Sequence, residues 1–147
     1  MRDRATDELN ELLDNVKPKD IDKYLEENRE YMADDKKAFY YYYKDVIDKK
    51  NIKLKDVYSF AGMSESMGGK IVRMEGHTSN RDVIIKLCIA GHFSLIETNR
   101  ALKLYGMNEL YSKNSRDACI IVAINNRIYD FDKIDKMLEE EQLKELY

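Results

Sequence analysis

Apolar side chains recur every three or four residues along most of the chain, which is the spacing of one face of an α-helix. The pattern predicts two short N-terminal helices, with apolar faces that begin at Leu9 and Ile21, and five further helices over residues 36–50, 54–61, 65–74, 80–91 and 94–105. Proline occurs once, at Pro18, and the six glycines fall at few places. We therefore predict an all-α protein of helices separated by short turns.

The C-terminal third repeats the stretch before it at a separation of 35 to 36 residues. Both copies begin with Arg-Asp and end with Glu-Leu-Tyr, at residues 81–82 and 109–111 in the first copy and at 116–117 and 145–147 in the second. Between these ends Ile96 pairs with Phe131 and Leu102 with Met137, before one inserted residue. The organisation predicted is an N-terminal helical lead (1–33), a core (34–111) and a C-terminal helical hairpin (112–147) that repeats residues 79–111, packed as one unit.

A tight turn separates the helices predicted over residues 54–61 and 65–74. Gly62 can take the left-handed conformation that ends the first helix, and Ser64 can cap the second. This is a helix-turn-helix pattern, whose second helix enters the DNA major groove with side chains near its start at the base edges. The candidate DNA-binding residues lie on that helix and in the segment after it, where a helix start can hold phosphate: Ser64, Glu65, Ser66, Met67, Gly69, Lys70, Arg73, His77, Ser79, Asn80 and Arg81.

The charge distribution modifies this picture. With 28 acidic and 25 basic residues the net charge is −3, the wrong sign for a protein whose whole surface grips a polyanion. Residues 51–92, however, carry six basic and four acidic side chains, so the basic balance falls on the motif. Lys70 and Arg73 fit guanine or phosphate contacts, although both are also ordinary residues for a solvated helix face.

Two further patterns have alternative explanations. The run Tyr40 to Tyr43 is either a stacking surface for bases or a partner, or a set of rings packed under neighbouring helices, and we expect packing. Cys88 and His92 lie four residues apart on one helix face, but the two further ligands that a metal site needs are not supplied by His77 or Cys119.

Other classes of protein are disfavoured by the sequence. No arrangement of nucleophile and base resembles an enzyme's, so we expect a protein that is not an enzyme and carries no cofactor or metal. The longest apolar run, residues 118–124, is too short for a membrane span, which requires about 20 residues. We expect a cytoplasmic location, because the chain has only two cysteines and its N-terminus lacks the apolar stretch of a signal peptide.

Nearly the whole chain resembles helix-turn-helix transcriptional regulators of the XRE type, in a subgroup with a helical lead and a repeated C-terminal hairpin. The resemblance is carried by residues 21–28 in the lead, by 54–64 in the motif, by Ile71, and by Ser79-Asn80-Arg81-Asp82. It implies the lambda repressor-like five-helix fold, binding to double-stranded DNA through the major groove, transcriptional regulation, and a homodimer. The apolar C-terminal hairpin is our candidate for the dimer surface.

The sequence departs from this family in the recognition helix. Gly68-Gly69 stand where the family has a bulky and a small polar residue, and Gly76 comes two residues after the family's usual glycine position. Two glycines inside a helix cost about 1 kcal/mol each relative to alanine, which predicts a helix that is kinked, short, or ordered only on a ligand. An alternative function follows: with Met67 and Met74, the glycines form an adaptable face for a protein partner, in a degenerate helix-turn-helix without base-specific DNA binding.

Overall fold

The computed structural model describes residues 6–33 and 35–147, and every regular element within them is helical. Nine α-helices and no β-strand occur in this part of the chain: α1 (Thr6–Leu13), α2 (Ile21–Glu27), α3 (Ala38–Lys49), α4 (Leu54–Phe60), α5 (Glu65–Val72), α6 (Arg81–Ala90), α7 (Leu95–Leu104), α8 (Ser115–Asn125) and α9 (Phe131–Glu140). Single 3-10 turns, Pro18–Asp20 and Arg29–Tyr31, flank α2. The prediction of an all-α protein is confirmed.

The helix boundaries follow the capping signals closely. Asn80 and Ser94, which the apolar pattern placed inside helices, are the N-caps of α6 and α7, and Ser94 forms a capping box with Glu97. The second helix of the motif ends at Val72, two residues earlier than predicted. Asp34, the first residue of the predicted core (34–111), lies outside the described residues.

The tyrosine-rich helix α3 lies at the centre of the core. Phe39, Tyr43 and Ile47 are fully or almost fully buried, and the Tyr43 hydroxyl donates a 2.7 Å hydrogen bond to the carbonyl of Leu87 on α6. Tyr42 is buried as well, while Tyr40 and Tyr41 are half-buried at the edge. The tyrosine run therefore serves mainly to pack α3 against its neighbours, as expected.

The N-terminal lead contributes little to this core. Helix α1 buries no residue, and α2 buries only Tyr24. Apolar side chains of the lead remain between 40% and 45% exposed: Leu12, Leu13, Ile21 and Leu25. The main hydrophobic cluster accordingly begins at α3 and extends to α9 and the segment after it.

Two helical hairpins complete the fold, with α6 packed against α7, α8 against α9, and a contact between α7 and α8. Both copies of the Arg-Asp pair lie where the hairpins meet. The Arg81 guanidinium donates to both carboxylate oxygens of Asp117 at 2.9 Å, and the Arg116 guanidinium donates to both oxygens of Asp82 at 2.8 Å. Each arginine of one hairpin thus binds the aspartate of the other, which is the reciprocal pattern of a two-fold contact.

Each of these arginines also donates hydrogen bonds to the C-terminal end of its own hairpin. Arg81 donates to the carbonyls of Asn108 and Glu109, and Arg116 donates to those of Lys144 and Glu145. The second pair of carbonyls lies 36 residues after the first. Burial raises the pKa of Asp117, but the hydrogen bonds from Arg81 and from the Tyr111 amide, with the nearby arginine charges, outweigh it and lower the pKa overall.

The structure corrects the predicted residue-by-residue correspondence between the second helices of the two copies. The helix-ending turns at His92 and Arg127, both with positive φ, are 35 residues apart, but the N-caps Ser94 and Asp130 are 36 apart. The extra residue of the second copy is therefore Tyr129, in the turn, rather than one after residue 137. Leu102 corresponds to the equally buried Leu138, not to Met137, and Ile96, which is 82% exposed, does not correspond to the buried Phe131.

The inserted Tyr129 stacks on His92 of the first copy, with ring centroids 4.1 Å apart and planes within 10°. Burial and the Lys50 charge lower the pKa of His92, which favours the neutral imidazole against the ring. The one length difference between the hairpins thus forms a contact between them.

Candidate nucleic-acid interface

The turn between α4 and α5 has the geometry that its sequence predicts. Gly62 lies at φ +70°, and the amide of Met63 donates a 2.8 Å hydrogen bond to the carbonyl of Tyr58, which ends α4. The Ser64 hydroxyl accepts the amide hydrogen of Met67 at 3.1 Å, which starts α5. The chain therefore makes a tight turn between two short helices, with Met63 buried in the turn.

Helix α5 continues through the glycine pair. The amide of Gly68 bonds to the carbonyl of Ser64, and the amide of Arg73 bonds to that of Gly69, both at 2.9 Å. At Gly68 an added Cβ would lie 2.5 Å from the Tyr58 ring, so the glycine allows α4 and α5 to approach closely. The sequence predicted a helix that is kinked, short, or ordered only on a ligand, and of these a short helix agrees with the structure.

The C-terminal end of α5 is formed at Met74, before Gly76. Met74 lies ten residues after Ser64 and adopts a left-handed conformation, at φ +60°. The amides of Glu75 and Gly76 both turn back to the carbonyl of Lys70, at 2.8 and 3.0 Å. The chain after α5 is thereby folded back over the last turn of the helix.

The exposed face of α5 combines most of the residues predicted to contact DNA. Ile71 and Val72 point into the core, whereas the opposite side remains exposed and carries Glu65, Ser66, Met67, Lys70 and Arg73. Gly69 is buried, because the Arg73 side chain lies back across it: an added Cβ would be 2.7 Å from Nη1 of Arg73.

The electrostatics of this face centre on Glu75, a residue that the sequence did not single out. The Nε of Arg73 donates a 2.6 Å hydrogen bond to Oε2 of Glu75, and both side chains are about half exposed. This bond, with the charges of Arg73, Lys37 and Lys70, lowers the pKa of the Glu75 carboxyl. Lys37, the N-cap residue of α3, was also missed, because nothing in the sequence relates it to α5.

The segment after α5 plays a more structural part than predicted. The His77 ring stacks on Tyr105 at 5.0 Å between centroids, and the Tyr105 hydroxyl accepts the Thr78 amide. Ser79 and Asn80 are exposed, with the Asn80 side chain accepting the Asp82 amide at the start of α6. Arg81 uses four of its five donors within the protein, so the structure places it in the contact between the hairpins and leaves it little capacity for phosphate.

The second hairpin reaches the motif through Tyr147. Its hydroxyl lies 2.5 Å from where a Cβ on Gly62 would stand, its ring contacts Phe131, and the ammonium of Lys86 lies 5.5 Å from the ring centroid. The Asp135 carboxylate accepts the amides of Leu146 and Tyr147 and so fixes the segment. The only sequence signal for this contact was the repeated Glu-Leu-Tyr end.

Within the described ranges, 6–33 and 35–147, no group of three or more histidine, cysteine or acidic side chains is arranged to hold a metal ion. Cys88 is fully buried, and burial raises its thiol pKa far above the ordinary value. Among the same residues no helix has the length and apolar character that crossing a membrane requires.

Comparison with known proteins gave no match to any family model, curated protein or solved structure at the significance required.

Proposed function

We propose that the chain is a sequence-specific DNA-binding transcriptional regulator that reads the major groove of double-stranded DNA with α5. The observation that carries the proposal is the exposed stripe of Ser66, Lys70 and Arg73 on a Ser64-capped helix whose other side is buried. Arginine and lysine reach guanine O6 and N7 or a phosphate, and serine bonds either, so the stripe has the chemistry of base and backbone contacts.

The arrangement of the helices supports the same proposal. We take the five consecutive helices α3 to α7 as the lambda repressor-like core of this proposal, with α4 and α5 as its helix-turn-helix. Such regulators bind as dimers, because one recognition helix makes few base contacts, and we propose a homodimer in which two copies of α5 read adjacent half-sites.

The test is binding to fragments of the protein's own promoter region, measured by fluorescence anisotropy between 50 and 200 mM salt. We expect affinity to fall at least about tenfold over this range, because each phosphate contact releases counterions. The double variant Lys70→Ala, Arg73→Ala should lose about tenfold or more in affinity. The matched control, Lys133→Ala with Lys136→Ala, removes the same charge from α9 and should bind within about twofold of the wild type. Salt-independent binding, or no loss in the first variant, contradicts the proposal.

A specific observation favours the second candidate function, a protein-interaction module. Phe60 at the end of α4 is 62% exposed and Met67 on α5 is 48% exposed, so the motif displays two large apolar side chains. A soluble partner retained by the wild-type chain but not by Phe60→Ser, Met67→Ser, together with no retarded DNA, would support this function instead.

A further inference from the structure

Backbone hydrogen bonds at the end of α5 set the place of Glu75 in the chain. Met74 takes the left-handed conformation that ends α5, and the Glu75 amide then bonds to the carbonyl of Lys70. This closes the helix end and directs the chain back over its last turn. The carboxylate is thereby carried to the edge of the α5 face that we propose to meet DNA.

Three cationic side chains act on this carboxylate. Arg73 binds it directly through Nε at 2.6 Å, and the charges of Lys70 on α5 and Lys37 before α3 act on it from two different elements. Gly69 is part of the arrangement, because a side chain there would displace the guanidinium of Arg73 from its place along the helix. Three positive charges with one negative charge leave a local surplus, which suits an anion larger or more highly charged than a carboxylate.

We propose that Lys37, Lys70 and Arg73 form a binding site for a phosphate of the DNA backbone, and that Glu75 occupies this site in the free protein as an intramolecular competitor. Carboxylate and phosphate oxygens accept the same charge-assisted hydrogen bonds from arginine, so one group can replace the other. The proposal rests on DNA binding by α5 and adds to it a named phosphate site. In this proposal Glu75 also excludes weakly bound anions, because any ligand must displace the Glu75 carboxylate from the three cations.

The first experiment compares DNA affinity in Glu75→Gln and in Asp56→Asn, a matched control that removes one negative charge from exposed α4 of the same motif. We expect Glu75→Gln to tighten binding about fivefold at 50 mM salt and to steepen the slope of log affinity against log salt by about one unit. Asp56→Asn should change the affinity less than twofold. Adding Arg73→Gln to Glu75→Gln should abolish the gain. Equal gains in the two single variants would overturn the phosphate site while leaving DNA binding by α5 intact.

The second experiment does not depend on a DNA duplex. The Arg73 Nε–H resonance is followed by NMR during titration with sodium pyrophosphate, with sodium chloride of the same ionic strength as reference. We expect a saturable shift in Glu75→Gln at concentrations where the wild type barely responds. No shift in either protein, or the same shift with chloride, overturns the site. Failure of all variants to bind DNA, alongside a saturable pyrophosphate shift, would instead count against the proposed DNA-binding function alone.

Discussion

The two C-terminal hairpins share their contacts but not their surroundings. In α6–α7 and in α8–α9 alike, an arginine at the helix start binds the partner hairpin's aspartate and two carbonyls of its own hairpin. Yet α6 buries six of its ten residues, whereas α8, with 11, buries four. The first hairpin packs against α3 and α4 as well as against the second hairpin, whereas the second hairpin has one face in solvent.

This difference in burial shows that the repeated residues specify the arginine–aspartate contact between the hairpins, and not the same degree of burial in both. Leu87 is fully buried, but Val122, which occupies the same place in the second copy, is 50% exposed. The second copy has a solvent-exposed outer face, so its apolar positions lose burial while its polar contacts are retained. Equivalent substitutions in the two hairpins should therefore differ in cost. Two pairs of variants test this, and a reciprocal exchange at the helix ends tests the turn geometry that the hairpins share.

The largest effect is expected from the arginines. Arg81→Met leaves Asp117, whose side chain is 8% exposed, without its guanidinium, and should cost about 4 kcal/mol in the free energy of unfolding. Arg116→Met leaves Asp82, which is 17% exposed, and should cost about 2 kcal/mol. Urea denaturation measures both. Adding Asp117→Leu to Arg81→Met should recover part of the loss, and equal costs in the two single variants would mean that the hairpins contribute alike.

The apolar positions give the next effect. Leu87→Ala opens a cavity in the centre of the core and should destabilise the protein by about 3 kcal/mol. Val122→Ala removes a side chain that is half in water and should cost less than about 1 kcal/mol. Both values come from the same denaturation series. A cost above about 2 kcal/mol for Val122→Ala would show that this face is covered in solution, as a homodimer through the C-terminal hairpin requires.

The smallest effect concerns the ends of α7 and α9. Gly106 and Gln142 lie 36 residues apart in the same left-handed turn, at φ +84° and φ +58°. Gly106→Gln forces a side chain into this conformation and should cost about 1 kcal/mol, although nothing lies within 4 Å of the added Cβ. Gln142→Gly should gain about 0.5 kcal/mol for the opposite reason. Thermal unfolding measures both, and changes of the same sign would contradict a common turn geometry.

Local signals predicted the helices and turns because the contacts that set them are local. Gly62 supplies a left-handed conformation and Ser64 accepts an amide hydrogen bond three residues away, so their types and spacing suffice to place the turn and the cap. The repeat was visible for a similar reason: the two ends of each copy bind the same groups, so they keep the same residues.

The candidate site was less predictable, because its geometry depends on contacts between elements. No local rule shows that Arg81 faces another hairpin instead of a phosphate, or that the charge of Lys37 acts on Glu75. The glycine pair suggested a weakened helix, but Gly68 makes room for Tyr58 and Gly69 for Arg73. Glu75 was overlooked since its position depends on a methionine in a conformation that is usual for glycine.

The reciprocal exchange between the Arg-Asp pairs has a consequence for how many hairpins can be joined. A repeat that is stacked by translation leaves a free donor at one end and a free acceptor at the other, and so admits further copies. Here Arg81 with Asp117 and Arg116 with Asp82 use both groups of both hairpins, as in a closed two-fold assembly. A third hairpin would therefore find no unoccupied arginine or aspartate at this contact.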